Sequence, residues 1–356
     1  MRVGILTSGG DCQSLNAVMS AIAKTLYKNV KDVEIYGIYD GYEGLIYGKI
    51  KKMKEEDFEE ISCKGGTILG TSRQPFKYIN KTEDSGLNKV EEMVKNYKKW
   101  NLDALAILGG NGSHKTANLL HSKGLNIVTL PKTIDNDIWG SDISFGFHSA
   151  VNVATETIDM IRTTADAHGR VFIIEVMGHK AGWIALYSGI AGEADVILVP
   201  EIPYNTDKVI KAVEDKLNKG KKYVIITIAE GAITQENANI PRKEFKKKYN
   251  NETGAGQLNE LSQKLQTMTN KDVRITIPGH IQRGGMPVAY DRVISMQLGV
   301  KAAECIKNGK FGFMVGYNNK EVITIPLEEV AGKLKTIQPQ SQIIFQAKEM
   351  GICFGD

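Results

Sequence analysis

The sequence predicts an α/β fold in which mainly parallel strands alternate with helices. Short apolar segments recur along the chain and are separated by longer segments with apolar residues at helical spacing. The short segments are largely β-branched or aliphatic, which is typical of strands buried on both faces of a parallel sheet. Most of them run directly into glycine. Their number is high for one sheet, so two sheets are predicted.

The individual elements follow from this alternation in chain order. Strands are predicted at residues 3–6, 33–39, 104–108, 127–130, 171–176, 196–199, 223–228 and 274–277. Helices are predicted at residues 15–27, 87–100, 113–121, 147–163, 206–218, 258–269 and 290–308. Ligands of open α/β sheets bind at the carboxyl ends of the strands, so the glycine turns after the strands mark the expected binding cleft.

The composition excludes several classes of protein. The chain has 356 residues, 42% of them hydrophobic and 24% charged, which is ordinary for a globular protein with two domains. The net charge is +4, and the basic stretches 51–54 and 243–248 have acidic neighbours, so nucleic-acid binding is not predicted. The four cysteines are scattered and form no CxxC pair, which favours reduced thiols. No segment has the length of a signal-peptide core or a membrane helix, so a cytoplasmic protein that binds no membrane is predicted.

Two glycine turns have the composition of phosphate-binding sites. TSGGD (residues 7–11) and LGGNGSHKTA (residues 108–117) each lie between a predicted strand and a predicted helix. Glycine lets the backbone approach a phosphate, and the N-terminus of the following helix supplies N–H donors. The alternative interpretation of each segment is a tight turn from strand to helix. Neither segment matches the dinucleotide or P-loop pattern.

The segment PKTIDND (residues 131–137) places two carboxylates after a strand. Asp135 and Asp137 are two residues apart, so in extended backbone their side chains face the same way. One could accept a hydroxyl proton while the other engages metal-bound phosphate, as phosphoryl transfer requires. Lys132 and Thr133 are natural partners of phosphate. The alternative is a turn closed by an aspartate or asparagine side chain.

The segment PGHIQRGG (residues 278–285) is a compact cluster of donors. His280 and Arg283 stand among glycines, and Arg274 precedes them. Arginine recognises phosphate with a forked pair of donors. Arg170, at the start of another strand, is from its sequence position alone as well explained by a surface cation as by a ligand.

Together these residues closely resemble the phosphofructokinase family. The matching segments, in chain order, are TSGGD, IYDGYEGL, GGTILGTSR, GGNGS, PKTIDND, GRVFIIEVMG, IAEG and GHIQRGG. They extend over essentially the whole chain. PLEEVAGKLK and GICFGD, near its end, look like the branch whose members use either ATP or pyrophosphate.

The resemblance implies two doubly wound, Rossmann-like domains with an active-site cleft between them. Residues 1–146 and about 282–332 would form the nucleotide-binding (donor) domain. Residues 147–281 and about 333–356 would form the fructose 6-phosphate-binding domain. The implied activity is 6-phosphofructokinase, with Mg²⁺ and ATP, in a homodimer or homotetramer.

The resemblance also implies roles for individual residues. Asp135 would be the catalytic base, with Thr133, Asp137 and Arg170 as further catalytic residues, and Asn111 and Asp137 would hold the metal. The sugar phosphate would contact Thr133, Ile134, Asp135, Arg170, Met177, Gly178, His179, Glu230, Arg274, His280 and Arg283, with Arg170 and Arg274 supplied by a neighbouring subunit. The nucleotide would contact Gly10, Tyr42, Arg73, Gln74, Gly110, Asn111, Gly112 and Ser113.

Several positions depart from the family pattern and leave alternatives open. Asn111 stands where the family usually has an acidic residue, and His179 replaces a usual arginine. Pyrophosphate users typically carry aspartate where this chain has Gly112, which favours ATP, whereas Lys132 is typical of pyrophosphate users. The combination favours ATP. The alternatives are a pyrophosphate-dependent enzyme and a weakened regulatory paralogue without catalytic activity.

Overall fold

Two separate sheets organise the chain. The computed structural model describes residues 1–82, 86–240, 244 and 255–356, and the chain divides into two units. Unit 1 comprises Met1–Ser149 and Arg283–Lys335, and unit 2 comprises Ala150–Gln282 and Thr336–Asp356. Apart from residue 244, the basic stretch 243–248 lies outside the described residues.

The strands in chain order are β1 (Arg2–Ser8), β2 (Glu34–Ile38), β3 (Ile50–Met53), β4 (Ala104–Gly109), β5 (Ile127–Pro131), β6 (Val171–Val176), β7 (Val196–Leu198), β8 (Val224–Ala229), β9 (Val273–Thr276), β10 (Phe313–Asn318) and β11 (Glu321–Pro326). In unit 1 the order across the seven-stranded sheet is β11-β10-β5-β4-β1-β2-β3. Among the described strands of this sheet, the edge strands β3 and β11 pair antiparallel and the others pair parallel. In unit 2 the order is β7-β8-β6-β9, and all neighbours are parallel.

The helices in chain order are α1 (Leu15–Asn29), α2 (Tyr42–Tyr47), α3 (Phe76–Ile79), α4 (Lys89–Lys99), α5 (Asn111–Ser122), α6 (Phe147–His168), α7 (Trp183–Ala191), α8 (Thr206–Asn218), α9 (Ala255–Thr269), α10 (Ala289–Lys307), α11 (Leu327–Val330) and α12 (Gln342–Glu349). Short 3₁₀ turns cover Glu55–Phe58 and Gly279–Arg283. Helix α10 packs against α1. None of the helices in the described residues combines the length and apolar character needed to cross a membrane.

The uniformly apolar strands are central, as expected for strands covered on both faces. All six residues of β4 are buried, and so are five of the six in β6. Each unit has its own apolar core, which in unit 1 includes Leu6, Leu105 and Ile127 and in unit 2 includes Ile173 and Ile226. The predicted α/β class with mainly parallel sheets is confirmed.

The sheet of unit 1 reverses its winding between β1 and β4. The chain moves outward from β1 to β2 on one side and from β4 to β5 on the other. The connections that follow β1 and β4 therefore run in opposite directions across the sheet. They leave a crevice at the carboxyl ends of these two strands, which is where ligands of doubly wound sheets bind. The two glycine turns singled out in the sequence follow these two strands.

Candidate active site

A cavity of about 330 Å³ lies in unit 1 at the carboxyl ends of β1, β4 and β5. This volume is in the range of small-molecule sites. The cavity combines two glycine turns, two aspartates and several cations. Its lining residues are Ser8, Gly9, Gly10, Arg73, Gln74, Pro75, Phe76, Gly110, Asn111, Gly112, Ser113, Lys132, Thr133, Asp135, Asp137 and Arg283. The sequence-predicted residues of unit 1 are thus brought together, except for Tyr42 and Ile134.

The turn after β1 is fixed by the segment that carries Arg73. The backbone N–H of Gly9 donates to the carbonyl of Ser72 at 3.0 Å. The hydroxyl of Thr71 donates to the carbonyl of Gly9 at 2.8 Å. These bonds hold residues 71–73 against the end of β1, and this contact places the Arg73 and Gln74 side chains in the cavity wall.

The turn after β4 is tight and leads directly into α5. A Cβ atom on Gly109 would lie 2.2 Å from the Cβ of Ser113, so only glycine fits there. The hydroxyl of Ser113 donates to that of Ser8 at 3.0 Å and so connects the two glycine turns. Around Gly112, by contrast, a Cβ atom would meet nothing within 4 Å. The N-terminus of α5 therefore faces the cavity with its N–H groups available to an anion.

Tyr42 and Ile134 differ from their predicted place in the site. Tyr42 is only 1% exposed, and its hydroxyl donates to the carbonyl of Ser113 at 2.7 Å. Through this hydrogen bond it supports the turn after β4, and it does not line the cavity. The side chain of Ile134 is fully buried. Only its backbone is left to meet a ligand, because an isoleucine between two polar neighbours turns its side chain into the core.

The loop after β5 presents both aspartates. Asp135 and Asp137 line the cavity, and the backbone N–H of Asp135 donates to the hydroxyl of Thr133 at 3.1 Å. Between them Asn136 adopts a left-handed conformation with φ of 51°. This conformation is uncommon outside glycine but tolerated by asparagine. It interrupts the extended backbone from which the common orientation of the two aspartates was predicted.

Two cations line the same cavity and bind the first glycine turn. The ammonium of Lys132 donates to the carbonyl of Gly10, and the guanidinium of Arg283 donates to the carbonyl of Asp11 at 2.8 Å. Lys132 is 3% exposed. Burial lowers the pKa of its ammonium to about 8, with Asp135 among the groups that oppose the shift. Positive charge is therefore concentrated where a phosphate would lie against the glycines.

Asn111 is engaged by its amide nitrogen. Its side-chain N–H₂ donates to the carbonyl of Lys333, which leaves the amide oxygen as the atom that could face a metal. In the described part of the chain, no group of three or more His, Cys, Asp or Glu side chains has the geometry of a metal site. The amide oxygen of Asn111 and the carboxylates that line the cavity suit Mg²⁺, because this ion is bound mainly by substrate phosphates and water and needs only one or two protein carboxylates.

In unit 2 the predicted sugar-binding residues follow the carboxyl ends of parallel strands. Met177 and Gly178 follow β6, Glu230 follows β8, and His280 follows β9 by a few residues. The N–H of Glu230 donates to the carbonyl of Val176 at 2.9 Å, which ties the first two of these turns together. Burial, with a further contribution from Glu230, raises the pKa of Glu175 on β6 to about 7. His179 is exposed in the adjoining turn.

Arg170 and Arg274 lie at the opposite end of that sheet. Arg170 precedes β6, and Arg274 is the second residue of β9. Both pair with the carboxylate of Asp272, at 2.7 Å for Arg170 and 2.9 Å for Arg274. A strand rises about 3.3 Å per residue, so roughly 20 Å separates Arg170 from Met177. Both guanidinium groups thus point toward Asp272 at the amino end of the sheet, and Arg170 lies far from the carboxyl ends.

Sequence reasoning missed some of the residues that line the cavity. Pro75 and Phe76 follow Arg73 and Gln74 directly, and both face the cavity. An aromatic ring beside a phosphate-binding turn is a signal for a nucleotide base, because bases stack on aromatic faces. The signal was available in the sequence but was hidden in a segment without strand or helix periodicity.

Comparison with known proteins agrees with this architecture. Residues 2–306 match the family described as Phosphofructokinase. An ATP-dependent 6-phosphofructokinase of Spirochaeta thermophila is 48% identical over 356 residues, covering 99% of this chain and 97% of the relative. ATP-dependent 6-phosphofructokinase 3 of Bacteroides thetaiotaomicron is 45% identical over 100% of both chains.

Solved structures share the fold. The structure of phosphofructokinase from Saccharomyces cerevisiae matches with a TM-score of 0.79 at 30% identity and covers 93% of this chain, which spans 45% of the yeast chain. A pyrophosphate-dependent phosphofructokinase from Nitrosospira multiformis matches with a TM-score of 0.81 at 18% identity, covering 96% of this chain and 87% of that one. At that identity the likeness concerns the fold alone. On the family match and the full-length relatives, this chain belongs to the phosphofructokinase family.

Proposed function

We propose that this protein is an ATP-dependent 6-phosphofructokinase, which transfers the terminal phosphoryl group of ATP to the 1-hydroxyl of fructose 6-phosphate. The observation that carries this function is the cavity of unit 1, where the carboxylate of Asp135 shares one space with two glycine turns, Lys132 and Arg283. Relatives at 48% and 45% identity are named ATP-dependent 6-phosphofructokinases. The product, fructose 1,6-bisphosphate, places the reaction in glycolysis.

Asp135 is the general base of this reaction. It accepts the proton of the sugar 1-hydroxyl as that oxygen attacks the terminal phosphorus of ATP. A positioned base contributes typically ~10²–10⁴ in rate. Thr133 and Asp137 flank it and orient the transferring phosphoryl group. The support for these roles is that all three side chains line the same cavity.

The glycine turns hold the phosphates of the nucleotide. The N-terminus of α5, from Gly110 to Ser113, supplies N–H groups and positive potential. Lys132 and Arg283 add charge beside the first glycine turn, where they bond to the carbonyls of Gly10 and Asp11. Arg73 and Gln74 bind beside the turn after β1. Phe76, from the same segment, offers a face on which the adenine can stack.

Asp137, with the amide oxygen of Asn111, would hold Mg²⁺ against the phosphates. The ion would supply charge that stabilises the oxygens of the transferring group. One carboxylate and one amide fit a magnesium site that relies mainly on phosphate oxygens. Asn111 in the place of an acidic residue weakens this site without removing it.

The sugar phosphate is held by residues of unit 2. Met177, Gly178, His179 and Glu230 lie at the carboxyl ends of its strands and bind the sugar. His280 binds phosphate. Arg170 and Arg274 act on the site of a second copy of the chain, and their pairing with Asp272 toward the amino ends of the strands supports this role. The proposal includes a homo-oligomer that works in the cytoplasm, where its substrates are found.

Pyrophosphate is the second candidate donor, and Lys132 is the observation that favours it. Against it, the surroundings of Gly112 are open, since a Cβ atom added to this residue would meet nothing within 4 Å, so the nucleotide has room there. The ammonium of Lys132 also donates to the carbonyl of Gly10. This bond lies within the protein, so Lys132 is compatible with either phosphoryl donor. The regulatory alternative leaves the presence of Asp135 in the cavity unexplained.

A coupled assay with fructose 6-phosphate and Mg²⁺ tests the donor. Turnover with ATP and little with pyrophosphate is expected. Faster turnover with pyrophosphate than with ATP would show that pyrophosphate is the donor. Absence of turnover with either, at high Mg²⁺ and with retained sugar-phosphate binding, would leave only the regulatory paralogue.

The substitution Asp135→Asn tests the base itself. It keeps the size of the side chain and removes the proton acceptor, so kcat should fall by about 10³ while fructose 6-phosphate still binds. Kinetics and equilibrium binding measure the two effects. The matched control is Asp103→Asn, at the amino end of the same sheet, where an amide oxygen can still accept from the N–H of Arg2. Unchanged turnover in Asp135→Asn would refute the assignment.

A further inference from the structure

The loop that carries the two aspartates is bound by Lys335, which is the last residue of unit 1 in the sequence. The ammonium of Lys335 donates to three oxygens of this loop. They are the side-chain oxygen of Asn136 at 2.9 Å and the carbonyls of Ser141 at 2.7 Å and Asp142 at 2.6 Å. An ammonium group has three donors, and these three hydrogen bonds hold separate parts of the loop to one side chain.

Asn136 is the residue through which this bond network reaches the site. It lies between Asp135 and Asp137, is 4% exposed and has a left-handed backbone. Its side-chain oxygen also accepts from the N–H of Ser144 at 2.9 Å, and its side-chain nitrogen donates to the carbonyl of Asp142 at 3.2 Å. Rotation of Asn136 would turn both neighbouring aspartates, because they share its backbone.

The backbone around Lys335 binds the same region. The N–H of Lys335 donates to the carbonyl of Asp137 at 2.9 Å. Leu334 forms an antiparallel bridge with Ile138. The carbonyl of Lys333 accepts from the side chain of Asn111. Three successive residues thus hold the aspartate loop and the start of α5, which are two of the walls of the cavity.

Charge adds to this geometry. Burial lowers the pKa of Lys335 to about 8, and the carboxylates of Asp142 and Asp137 oppose the shift. The acceptor oxygens around the ammonium offset part of the cost of burying its charge.

We propose that Lys335 is a positioning residue for phosphoryl transfer, which acts through Asn136 to align the carboxylates of Asp135 and Asp137. Lys335 is not among the residues that line the cavity. Its removal lowers the rate of the chemical step and leaves sugar binding intact, because a base that is misaligned acts only on the transition state. The inference rests on the proposed kinase function.

The test compares Lys335→Met with the unmodified chain and with Lys301→Met. Methionine keeps the length of the stem and removes the ammonium. Lys301 is likewise partly exposed and belongs to unit 1, but it pairs with Glu304 on the surface of α10. We expect kcat of Lys335→Met to fall about 10- to 100-fold, with KM for fructose 6-phosphate within about threefold. Lys301→Met should match the unmodified chain.

Chemical rescue separates alignment from a general loss of structure. Lys335→Cys removes the amine, and alkylation with 2-bromoethylamine restores it, since the thiolate displaces bromide to give an aminoethyl thioether of nearly the length of lysine. Turnover should return after this treatment. The unmodified chain, treated in the same way, controls for alkylation of the exposed Cys63.

Hydrogen exchange supplies a readout that does not need turnover. Amides of residues 133–145 should exchange faster in Lys335→Met, while the rest of unit 1 keeps its rates. A kcat within twofold of the unmodified chain, no rescue, or unchanged exchange in the loop would overturn the proposal. So would failure of both Lys335→Met and Lys335→Cys to fold. If the unmodified chain shows no turnover, the proposed function fails, and exchange alone then decides whether Lys335 holds the loop.

Discussion

Asn111 faces the carbonyl of Lys333 with its amide nitrogen, and a carboxylate could not make that bond. We predict that Asn111→Asp lowers the Mg²⁺ concentration needed for half-maximal activity, because a charged oxygen then faces the phosphates. The same change should destabilise the protein by about 1 kcal/mol, since two acceptors would meet. Magnesium titration of the rate and thermal unfolding measure the two effects.

Asn111→Ala is the matched control for this prediction. It removes the hydrogen bond without adding charge, so it should destabilise the chain and weaken the response to Mg²⁺. An identical magnesium dependence in all three proteins would place residue 111 away from the metal.

Lys132 predicts a pH dependence of nucleotide binding. Its pKa of about 8 means that the ammonium is charged below that pH and neutral above it. KM for ATP should therefore rise as the pH passes 8, and Lys132→Met should raise KM about tenfold at pH 7 and remove the step. Initial rates between pH 6.5 and 9.5 test this. Parallel profiles in the two proteins would contradict it.

The effect of Lys132 on stability has the opposite sign. An unfolded lysine titrates near 10.4, so between pH 8 and about 10.4 the unfolded chain binds more protons than the folded one. In that window this residue makes the free energy of unfolding rise with pH. Loss of nucleotide binding above pH 8 is thus not explained by unfolding at Lys132.

Side-chain roles were predictable where chemistry is local, and less so where they depend on distant partners. The sequence placed Asp135, Lys132 and Gly110 in one site because each follows a strand of the same sheet. It did not reveal that Tyr42 lies beneath the turn, since the partner is a backbone carbonyl more than 70 residues away. Lys335 was missed for the same reason, because its acceptors are almost 200 residues away.

At the scale of elements, the β4–α5 turn makes a sharp prediction about two glycines. Gly109→Ala would bring a Cβ atom to 2.2 Å from that of Ser113, so the turn must open. We expect a loss of about 1–3 kcal/mol of stability and weaker nucleotide binding. Thermal unfolding and ATP titration measure both.

Gly112→Ala is the control in the same turn. Its Cβ atom would meet nothing within 4 Å, and alanine is the better helix former by roughly 1 kcal/mol. Stability should be unchanged or slightly higher. Equal losses in the two variants would mean that steric fit does not decide the turn.

The elements themselves were predictable to different degrees. Central strands such as β4 were found because their burial on both faces leaves a continuous apolar signal. The β10–β11 hairpin was missed because Gly316 interrupts the first strand, and the second is an edge strand with exposed positions. Its two-residue turn, Asn319–Lys320, has positive φ at both positions, and lysine in the second gives no sequence signal for that conformation.

At the scale of the whole molecule, the place of Arg170 and Arg274 predicts complementation between subunits. Asp135→Ala and Arg170→Ala homo-oligomers should each be nearly inactive. Unfolded together and refolded as a mixture, they should regain activity, because some hybrid sites receive Asp135 from one chain and Arg170 from the other. The assay is turnover before and after mixing.

The control mixes Asp135→Ala with Asp135→Asn, which cannot complement because both chains lack the same group. Activity no higher than in this control, in a mixture shown to contain hybrids, would mean that each chain completes its own site.

The path of the chain through unit 1 has a consequence for its synthesis. Leu6 and Ile107 share one buried core with Met314 and Leu327. Residues near the start of the sequence therefore cannot complete their packing until residues near its end have been made. A ribosome must make all of residues 150–282 before β10 can take its place beside β5. The amino-terminal part of the sheet therefore leaves the exit tunnel with the apolar edge at β5 exposed. Exposed apolar surface of this kind is what chaperones bind during synthesis.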